Sequence, residues 1–394
     1  MISQAVIFCG GLGQRLMPLT KKIPKPMVKI NGKPFLEYLI IQCKNNGIKE
    51  VLLLCGYKYD VIKNYFKNGK KFGLKIRYHY NPYNVQTLKR IYDSRKILKN
   101  KFLLLYSDNY SPLNIKFLES KIKKNNLVIS LCKKKRGNIL LNNKTSLILN
   151  YSKKRKYNFV EIGYMILKKN FLLDIKYNVN KEFNFLIKDQ IKKKKVNFNI
   201  NSQGYLSISD HKRLKITKKY FRNDNIILLD RDGIINHKNR KHRYVRDLNE
   251  LKINKTFLGK YKSILKKNKI ICITNQAGVS TGDIKEENLR KIHYKIIDYY
   301  KMNKIKILDF FISRQHFNSN HLDRKPNPGL FIKASKKYKF LLDRTVYIGD
   351  DIRDIEASYR ASCKCIYLGK KRLSNIKKKK FKYTLINLCK MKKL

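Results

Sequence analysis

Short apolar runs rich in Ile, Leu and Val recur at 5–8, 51–55, 102–106 and 127–131. Helix-length segments such as 34–46 and 87–98 lie between them. Strands separated by that much chain are not joined by tight hairpins, so they build a mainly parallel sheet covered by helices on both faces. After a polar, basic stretch at 212–225 the cycle restarts, with apolar runs at 226–229, 270–274, 310–312 and 345–348. Helical stretches at 255–267, 285–300 and 329–338 separate these runs. The expected fold class is α/β, with two doubly wound, mainly parallel-sheet domains in tandem at 1–220 and 221–394 and a seam at 212–225. Lys377–Lys380 reads as a solvated linker, and 382–388 as an edge strand. The two halves begin alike but carry different motifs, and no internal repeat links them.

The composition limits the function classes. Lys and Arg total 91 against 27 Asp and Glu, for a formal charge of +64. The lysines are spread over the whole length beside abundant Ile, Asn and Tyr, as an AT-rich coding sequence gives. Nucleic acid is therefore not the expected partner, and the field favours small anions such as sugar phosphates and nucleotides. At 43% hydrophobic the chain has material for ordinary cores, which excludes a disordered basic tail. No run reaches the roughly 18 uncharged apolar residues of a membrane-spanning helix. Met1 leads straight into Ala5-Val6-Ile7-Phe8 without the pattern of a signal peptide. The eight cysteines are scattered through apolar runs and read as core residues of a reducing compartment. The expectation is a cytoplasmic protein, and a homo-oligomer is compatible with the sequence.

In the second half, Leu229-Asp230-Arg231-Asp232-Gly233 directly follows an apolar run. Two carboxylates at i and i+2 beyond a strand sit in the crevice where open α/β sheets bind ligands. One Asp can attack phosphorus while the other moves a proton. Three further strand ends follow in order. Thr274-Asn275 offers a hydroxyl and an amide to phosphoryl oxygens, and Arg324-Lys325-Pro326-Asn327-Pro328-Gly329 offers cations ahead of a helix. Gly349-Asp350-Asp351 offers carboxylates suited to Mg²⁺.

These stretches, LLDRDGIIN, ITNQAGVSTG, DRKPNPG and IGDDIRDIEAS, resemble the haloacid dehalogenase-like phosphatases over about residues 224–390. The nearer subgroup contains D-glycero-D-manno-heptose 1,7-bisphosphate phosphatase and histidinol phosphatase. The resemblance implies that Asp230 is the nucleophile, Asp232 the acid/base, and Thr274 and Asn275 phosphoryl binders. Arg324 would contact substrate, and Lys325 would stabilise nucleophile and phosphate. Mg²⁺ would be held by Asp230, the Asp232 carbonyl and Asp350. Asp351 is carried over as substrate-binding, and Asp351 and Asp354 are secondary metal candidates. Where that subgroup carries a zinc knuckle, this chain has Ser313-Arg314-Gln315-His316 and His321-Leu322-Asp323 without cysteine. No structural zinc is expected, and His316 and His321 read as loop residues.

In the first half, Gly10-Gly11-Leu12-Gly13-Gln14-Arg15-Leu16 follows the first apolar run, with Pro24-Lys25-Pro26-Met27 behind it. Such glycines let main-chain N–H groups approach a triphosphate, and Arg15 and Lys25 add charge-assisted contacts. The run is similar to the sugar-1-phosphate nucleotidylyltransferases over about residues 1–215. It implies nucleotide binding by Gly10, Gly11, Gly13, Arg15, Lys25 and Asp108, the last at the metal-binding position. Lys153 falls at the substrate lysine and Glu161-Ile162-Gly163 at the sugar-binding strand. The chain departs from that pattern at Gln86-Thr87-Leu88-Lys89-Arg90, where small residues are expected, and at Ser207-Ile208-Ser209-Asp210, where the second metal aspartate is expected.

Together the motifs imply two Rossmann-like domains of a multifunctional, Mg-dependent enzyme of carbohydrate metabolism. A phosphatase for a heptose bisphosphate would be fused to a nucleotidyltransferase-like domain, serving lipopolysaccharide or capsule synthesis. Its partners would be sugar phosphates and nucleoside triphosphates. The alternative is a histidinol-phosphate or polynucleotide 3′-phosphatase behind a non-catalytic nucleotide-sugar-binding module.

Overall fold

In the computed structural model the first apolar run becomes strand β1 (Gln4–Cys9). It is followed in the same sheet by β2 (Glu50–Cys55), β3 (Lys75–Tyr80), β4 (Lys101–Tyr106), β5 (Leu127–Gly137), β6 (Ile139–Asn142), β7 (Leu147–Tyr151), β8 (Tyr157–Lys168) and β9 (Val196–Ile200). The structure describes residues 1–394 except 143–146, 153, 155, 171, 173–178, 224, 240, 243 and 388–394. Two compact units result, Met1–Lys218 and Lys219–Leu394. The strand order of the first unit is β7-β6-β8-β4-β1-β2-β3, with β5 on β8 and β9 on β5. Strands β1 to β4 are parallel where they pair, because helical segments such as Phe35–Asn45 and Tyr59–Phe66 carry the chain back. β8 runs antiparallel to both β4 and β5. Along β2, Val51 to Cys55 are all fully buried, as a strand covered on both faces requires.

The polar, basic stretch 212–225 has regular structure. Most of it is helix His211–Arg222, in which Leu214, Thr217 and Phe221 are buried at helical spacing. Six Lys and Arg residues of that helix hide a narrow apolar stripe from a reading based on polarity.

The second unit is a five-stranded, all-parallel sheet of β10 (Ile226–Leu229), β11 (Lys269–Asn275), β12 (Lys306–Ser313), β13 (Val346–Gly349) and β14 (Lys364–Tyr367) in the order β12-β11-β10-β13-β14. Alternate residues divide between its faces. Ile227, Leu229, Ile270, Cys272 and Ile348 pack with Phe257, Leu265, Ile292 and Ile296 of helices Lys255–Lys266 and Glu286–Met302. Leu228, Ile271, Ile273 and Tyr347 pack with Phe331, Ala334, Ile355 and Ala357 of helices Gly329–Tyr338 and Ile352–Arg360. Each buried Leu, Ile or Phe among them contributes about 1.5–3 kcal/mol by leaving water. β10 has a neighbour on either side, and the chain goes first to β11 and only later to β13. The ends of these strands therefore flank a crevice at the switch in strand order.

Lys377–Lys380 is not a linker. It lies in helix Asn375–Lys380, which Ser374 caps, and Lys380 pairs with Glu356 at 2.8 Å. The segment after it adds a single bridge, Leu385 beside Cys365, instead of a strand; residue 388 lies outside the described residues. The seven described cysteines are free, and six of them are buried. Among the described residues no helix is long and apolar enough to cross a membrane.

Candidate active sites

The carboxyl ends of β10, β11 and β13 bring the second-half motifs together. Asp230 follows β10, Thr274 and Asn275 end β11, and Asp350 follows β13. Lys325 enters from the loop ahead of helix Gly329–Tyr338. Its Nζ lies 2.9 Å from Asp230 Oδ1 and 2.8 Å from Asp354 Oδ1, and all three groups are buried. It also donates to the Ile273 carbonyl at 3.1 Å and to the Tyr347 hydroxyl at 2.7 Å. Carboxylate oxygens of Asp230, Asp350 and Asp354 lie within 4.8 Å of one another. Asp350 Oδ1 is buried and has no hydrogen-bond donor among the described residues, while its Oδ2 takes Lys238 Nζ at 2.6 Å. A buried carboxylate oxygen without a donor is costly, and a hard divalent cation would satisfy it. The donor set, all oxygen and close-set, fits Mg²⁺.

Asp230, Asp232, Thr274, Asn275, Arg324, Lys325 and Asp351 all line one cavity of about 260 Å³. Several are already engaged there. The Asn275 amide donates to the Lys325 carbonyl and accepts from the Lys325 N–H, both at 3.0 Å, so it fixes the lysine's backbone. Thr274 Oγ1 accepts from Gln276 at 2.8 Å, and Arg324 donates to the Gln315 carbonyl at 3.2 Å. Asp351 caps helix Ile352–Arg360 and pairs with Arg353 at 2.9 Å. Asp354, secondary in the sequence, is the third acid of the close triplet. The Asp232 carboxylate lies outside that triplet, with Arg231.

Burial raises the pKa of Asp230 above the ordinary carboxylate range, against the pull of Lys325. Burial by itself would lower Lys325, but Asp230 and Asp354 more than offset it and hold the ammonium charged. Burial would also raise Asp232. The Arg231 guanidinium at 2.8–3.0 Å, with Asn236 and Gln276 at 2.9 and 2.8 Å, reverses the sign and keeps that carboxyl below its usual value.

Sequence reasoning passed over Lys238, Arg231 and His293. Arg231 is completely buried, and its position between two aspartates was the available signal, since a buried guanidinium needs a carboxylate partner. Behind it, His293 Nε2 lies 3.4 Å from Arg231 Nη1, and the ring stacks on Phe310 at 4.1 Å between centroids. Burial, with Arg231 adding to it, pushes the His293 pKa down to about 3. The unfolded chain then binds a proton between about pH 6.5 and 3 that the folded chain refuses. This contribution is fully present above pH 6.5 and is lost as pH falls toward 3. We expect His293→Gln to flatten the stability–pH curve. Between pH 7 and 4.5 the parent should lose about 2 kcal/mol more than the variant in denaturant titrations.

His316 and His321 occupy an exposed loop, where their Nδ1 atoms accept from the backbone N–H of Asn318 at 3.3 Å and Asp323 at 3.1 Å. Among the described residues, Asp230, Asp350 and Asp354 form the group of His, Cys, Asp or Glu that is close enough to share a metal.

In the first unit, Gly10, Gly11, Gly13, Arg15, Lys25 and Asp108 line a cavity of about 800 Å³ at the end of β1. Lys25 Nζ pairs with Asp108 Oδ2 at 2.5 Å. The bulk in the 86–90 stretch has a structural task. Arg90 is buried and donates to the carbonyls of Val85, Cys55, Asn81 and Pro82 at 2.7–3.1 Å. A Cβ on Gly10 or Gly56 would collide with its guanidinium, so the glycine turn and Arg90 are packed as one piece. Ser209 lines the cavity, while the Asp210 carboxylate turns to Arg213, whose N–H donates at 2.8 Å and whose Nε lies at 3.3 Å. Glu161 is buried, and its pKa is pushed up to about 8 by burial. Lys153 lies outside the described residues.

Two families match the chain: Nucleotidyl transferase over residues 4–137 and Haloacid dehalogenase-like hydrolase over residues 215–368. The D-glycero-alpha-D-manno-heptose 1-phosphate guanylyltransferase of Campylobacter jejuni is 34% identical over 212 residues, 52% of this chain and 94% of its own length. The protein of the same name from Aneurinibacillus thermoaerophilus is 43% identical over 75 residues, 19% of this chain and 32% of that one. Among solved structures, HddC from Yersinia pseudotuberculosis aligns at 24% identity with a TM-score of 0.47, covering 56% of this chain and 100% of that one.

Proposed function

The chain belongs to the nucleotidyl transferases and carries a haloacid dehalogenase-like hydrolase domain behind that half, and on that premise we propose a bifunctional enzyme of nucleotide-activated heptose synthesis. The second unit is a Mg-dependent phosphatase that removes the 7-phosphate of a heptose bisphosphate. The first unit couples the remaining 1-phosphate to a nucleotide. The two reactions are consecutive by their chemistry, because the product of one is the substrate class of the other. The reading is supported most by one observation, the buried Lys325 held between Asp230 and Asp354 beside a donor-less Asp350 oxygen.

In the first step an Asp230 oxygen attacks phosphorus and the P–O bond to the sugar oxygen breaks, that oxygen taking its proton from Asp232. In the second, Asp232 takes a proton from water. The water oxygen attacks the phosphorus of the aspartyl-phosphate, releasing phosphate and restoring Asp230. Arg231 favours the ionised Asp232, the form this second step needs. Lys325, Thr274 and Arg324 counter charge on the transferring group, and Asn275 keeps Lys325 in place. Asp230, Asp350 and the Asp232 carbonyl would hold Mg²⁺ with Asp354 alongside, and the ion supplies further neutralisation of phosphoryl charge.

The test is phosphate release by the purified protein with Mg²⁺ and with chelator. A heptose bisphosphate should be turned over well above histidinol phosphate and 3′-phosphorylated DNA, and a preference for either of the latter would replace the substrate assignment. For the first unit, a nucleoside triphosphate with the sugar 1-phosphate should yield pyrophosphate. The Lys25–Asp108 pair and the turning of Asp210 toward Arg213 favour a second reading, a unit that binds nucleotide sugar without transfer. Binding without pyrophosphate release would select it.

Gly233 gives a further prediction. Its φ is +94°, and a Cβ there would fall on the Asp350 carboxylate. Gly233→Ala should raise the Mg²⁺ concentration for half-maximal phosphate release by about 10-fold or more, since Mg²⁺ demands near-ideal placement of its ligands. An unchanged Mg²⁺ curve would remove Asp350 from the metal site.

A further inference from the structure

The two carboxylate oxygens of Asp350 meet different surroundings. Oδ2 takes the Lys238 ammonium at 2.6 Å, whereas the buried Oδ1 has no hydrogen-bond donor among the described residues. One oxygen is engaged from outside and the other is left open.

Both members of the pair are held in place. The loop that brings Lys238 is pinned at Asn236, whose carbonyl accepts from the Gly233 N–H at 2.7 Å. The Asn236 amide donates to Asp232 Oδ1 and to the His237 carbonyl, each at 2.9 Å. One residue on, the His237 N–H donates to the Lys252 carbonyl at 2.8 Å. Asp350 itself is wedged between two glycines. A Cβ on Gly233 would meet its carboxylate, Oδ2 first, and a Cβ on Gly369 would meet its carbonyl oxygen. Hemmed in by Gly233 and tied through Oδ2, the carboxylate presents a single oxygen.

The number of oxygens that a carboxylate offers separates the two common hard divalent cations. Mg²⁺ demands a near-ideal octahedron of short bonds, into which the narrow bite of a two-oxygen carboxylate fits badly. Ca²⁺ accepts a larger and looser shell, and takes both oxygens of one carboxylate readily.

We propose that Lys238 is a positioning residue that sets the choice of cation: by occupying Asp350 Oδ2 it limits that carboxylate to one oxygen and biases the site toward Mg²⁺ against Ca²⁺. The inference rests on the metal-dependent phosphatase reading and adds to it the device that selects the metal. Loss of a nearby positive charge strengthens the binding of all divalent cations alike, because they carry the same charge. The ratio between two cations therefore reports the geometry.

The test is displacement of Mn²⁺ from the full-length protein without substrate, followed by the spin signal of free Mn²⁺. The part of the Mn²⁺ binding that Asp350→Asn abolishes belongs to this site, and Mg²⁺ and Ca²⁺ are titrated separately against that part. In Lys238→Met the half-displacing concentration of Ca²⁺ should fall relative to that of Mg²⁺ by about 10-fold, the size of effect typical for a partner that orients a metal ligand. Lys241→Met removes another cation of the same loop and should leave the ratio at the parent value. An unchanged ratio in Lys238→Met, or an equal shift in Lys241→Met, would overturn the role of Lys238 and leave the phosphatase reading standing. Mn²⁺ binding that Asp350→Asn does not reduce would overturn the metal site and this inference with it. The expected shift in a protein that releases phosphate from no substrate would overturn the phosphatase reading alone.

Discussion

Asp230→Asn is expected to lower phosphate release by at least about 10³-fold while leaving the protein folded. An amide cannot act as the nucleophile, so the covalent route closes at its first step. The shape of the side chain is conserved, and Lys325 keeps Asp354 as an ionic partner at 2.8 Å. Burial already raises Asp230 above the usual carboxylate range, so a neutral group costs little at that place. The melting transition should therefore stay within a few degrees of the parent. Full activity in the variant would refute the assignment of Asp230.

Lys325→Met should give the largest loss of stability. It removes the ammonium from two carboxylates that the fold has buried, Asp230 at 2.9 Å and Asp354 at 2.8 Å. Breaking such a pair from one side costs about 3–5 kcal/mol, because the remaining charge is left without a partner. For a unit of this size that is about 10 °C or more in melting temperature. The same change should abolish phosphate release, since the cation facing the transferring group is gone. Adding Asp354→Asn to Lys325→Met should recover part of the stability and none of the turnover. Strict additivity of the two changes would mean that Lys325 and Asp354 do not interact. The double variant therefore separates the structural task of Lys325 from its catalytic one.

The strand ends were legible in the sequence because chemistry and fold coincide there. Asp230, Thr274 and Asp350 stand at or just beyond apolar runs, and an apolar run that stops at a polar pair marks both a strand and its carboxyl end. Lys325 was legible for a different reason, being tied to a Pro- and Gly-marked turn ahead of a helix. The residues missed act through tertiary contacts that no local pattern announces. Asp354, in the sequence a secondary candidate only, reaches the Asp230 and Asp350 carboxylates and the Asp351 backbone from one turn inside a helix. His293 touches Arg231 from a helix 62 residues away in the chain. Lys238 comes from a loop without regular structure. Helix His211–Arg222 was missed because Leu214, Thr217 and Phe221 make a stripe too narrow to stand out among its cations. In the first unit the bulk of Arg90 looked like an obstruction, yet its buried guanidinium satisfies four carbonyls and braces the glycine turn.

The most direct measurement is to mix the protein with a heptose bisphosphate and Mg²⁺, quench in acid within a single turnover, and map the phosphorylated peptide. Phosphate should be recovered on Asp230, in amounts that rise and fall before free phosphate reaches its plateau. Turnover with phosphate bound to another residue, or with no trapped intermediate at any time, would contradict the account.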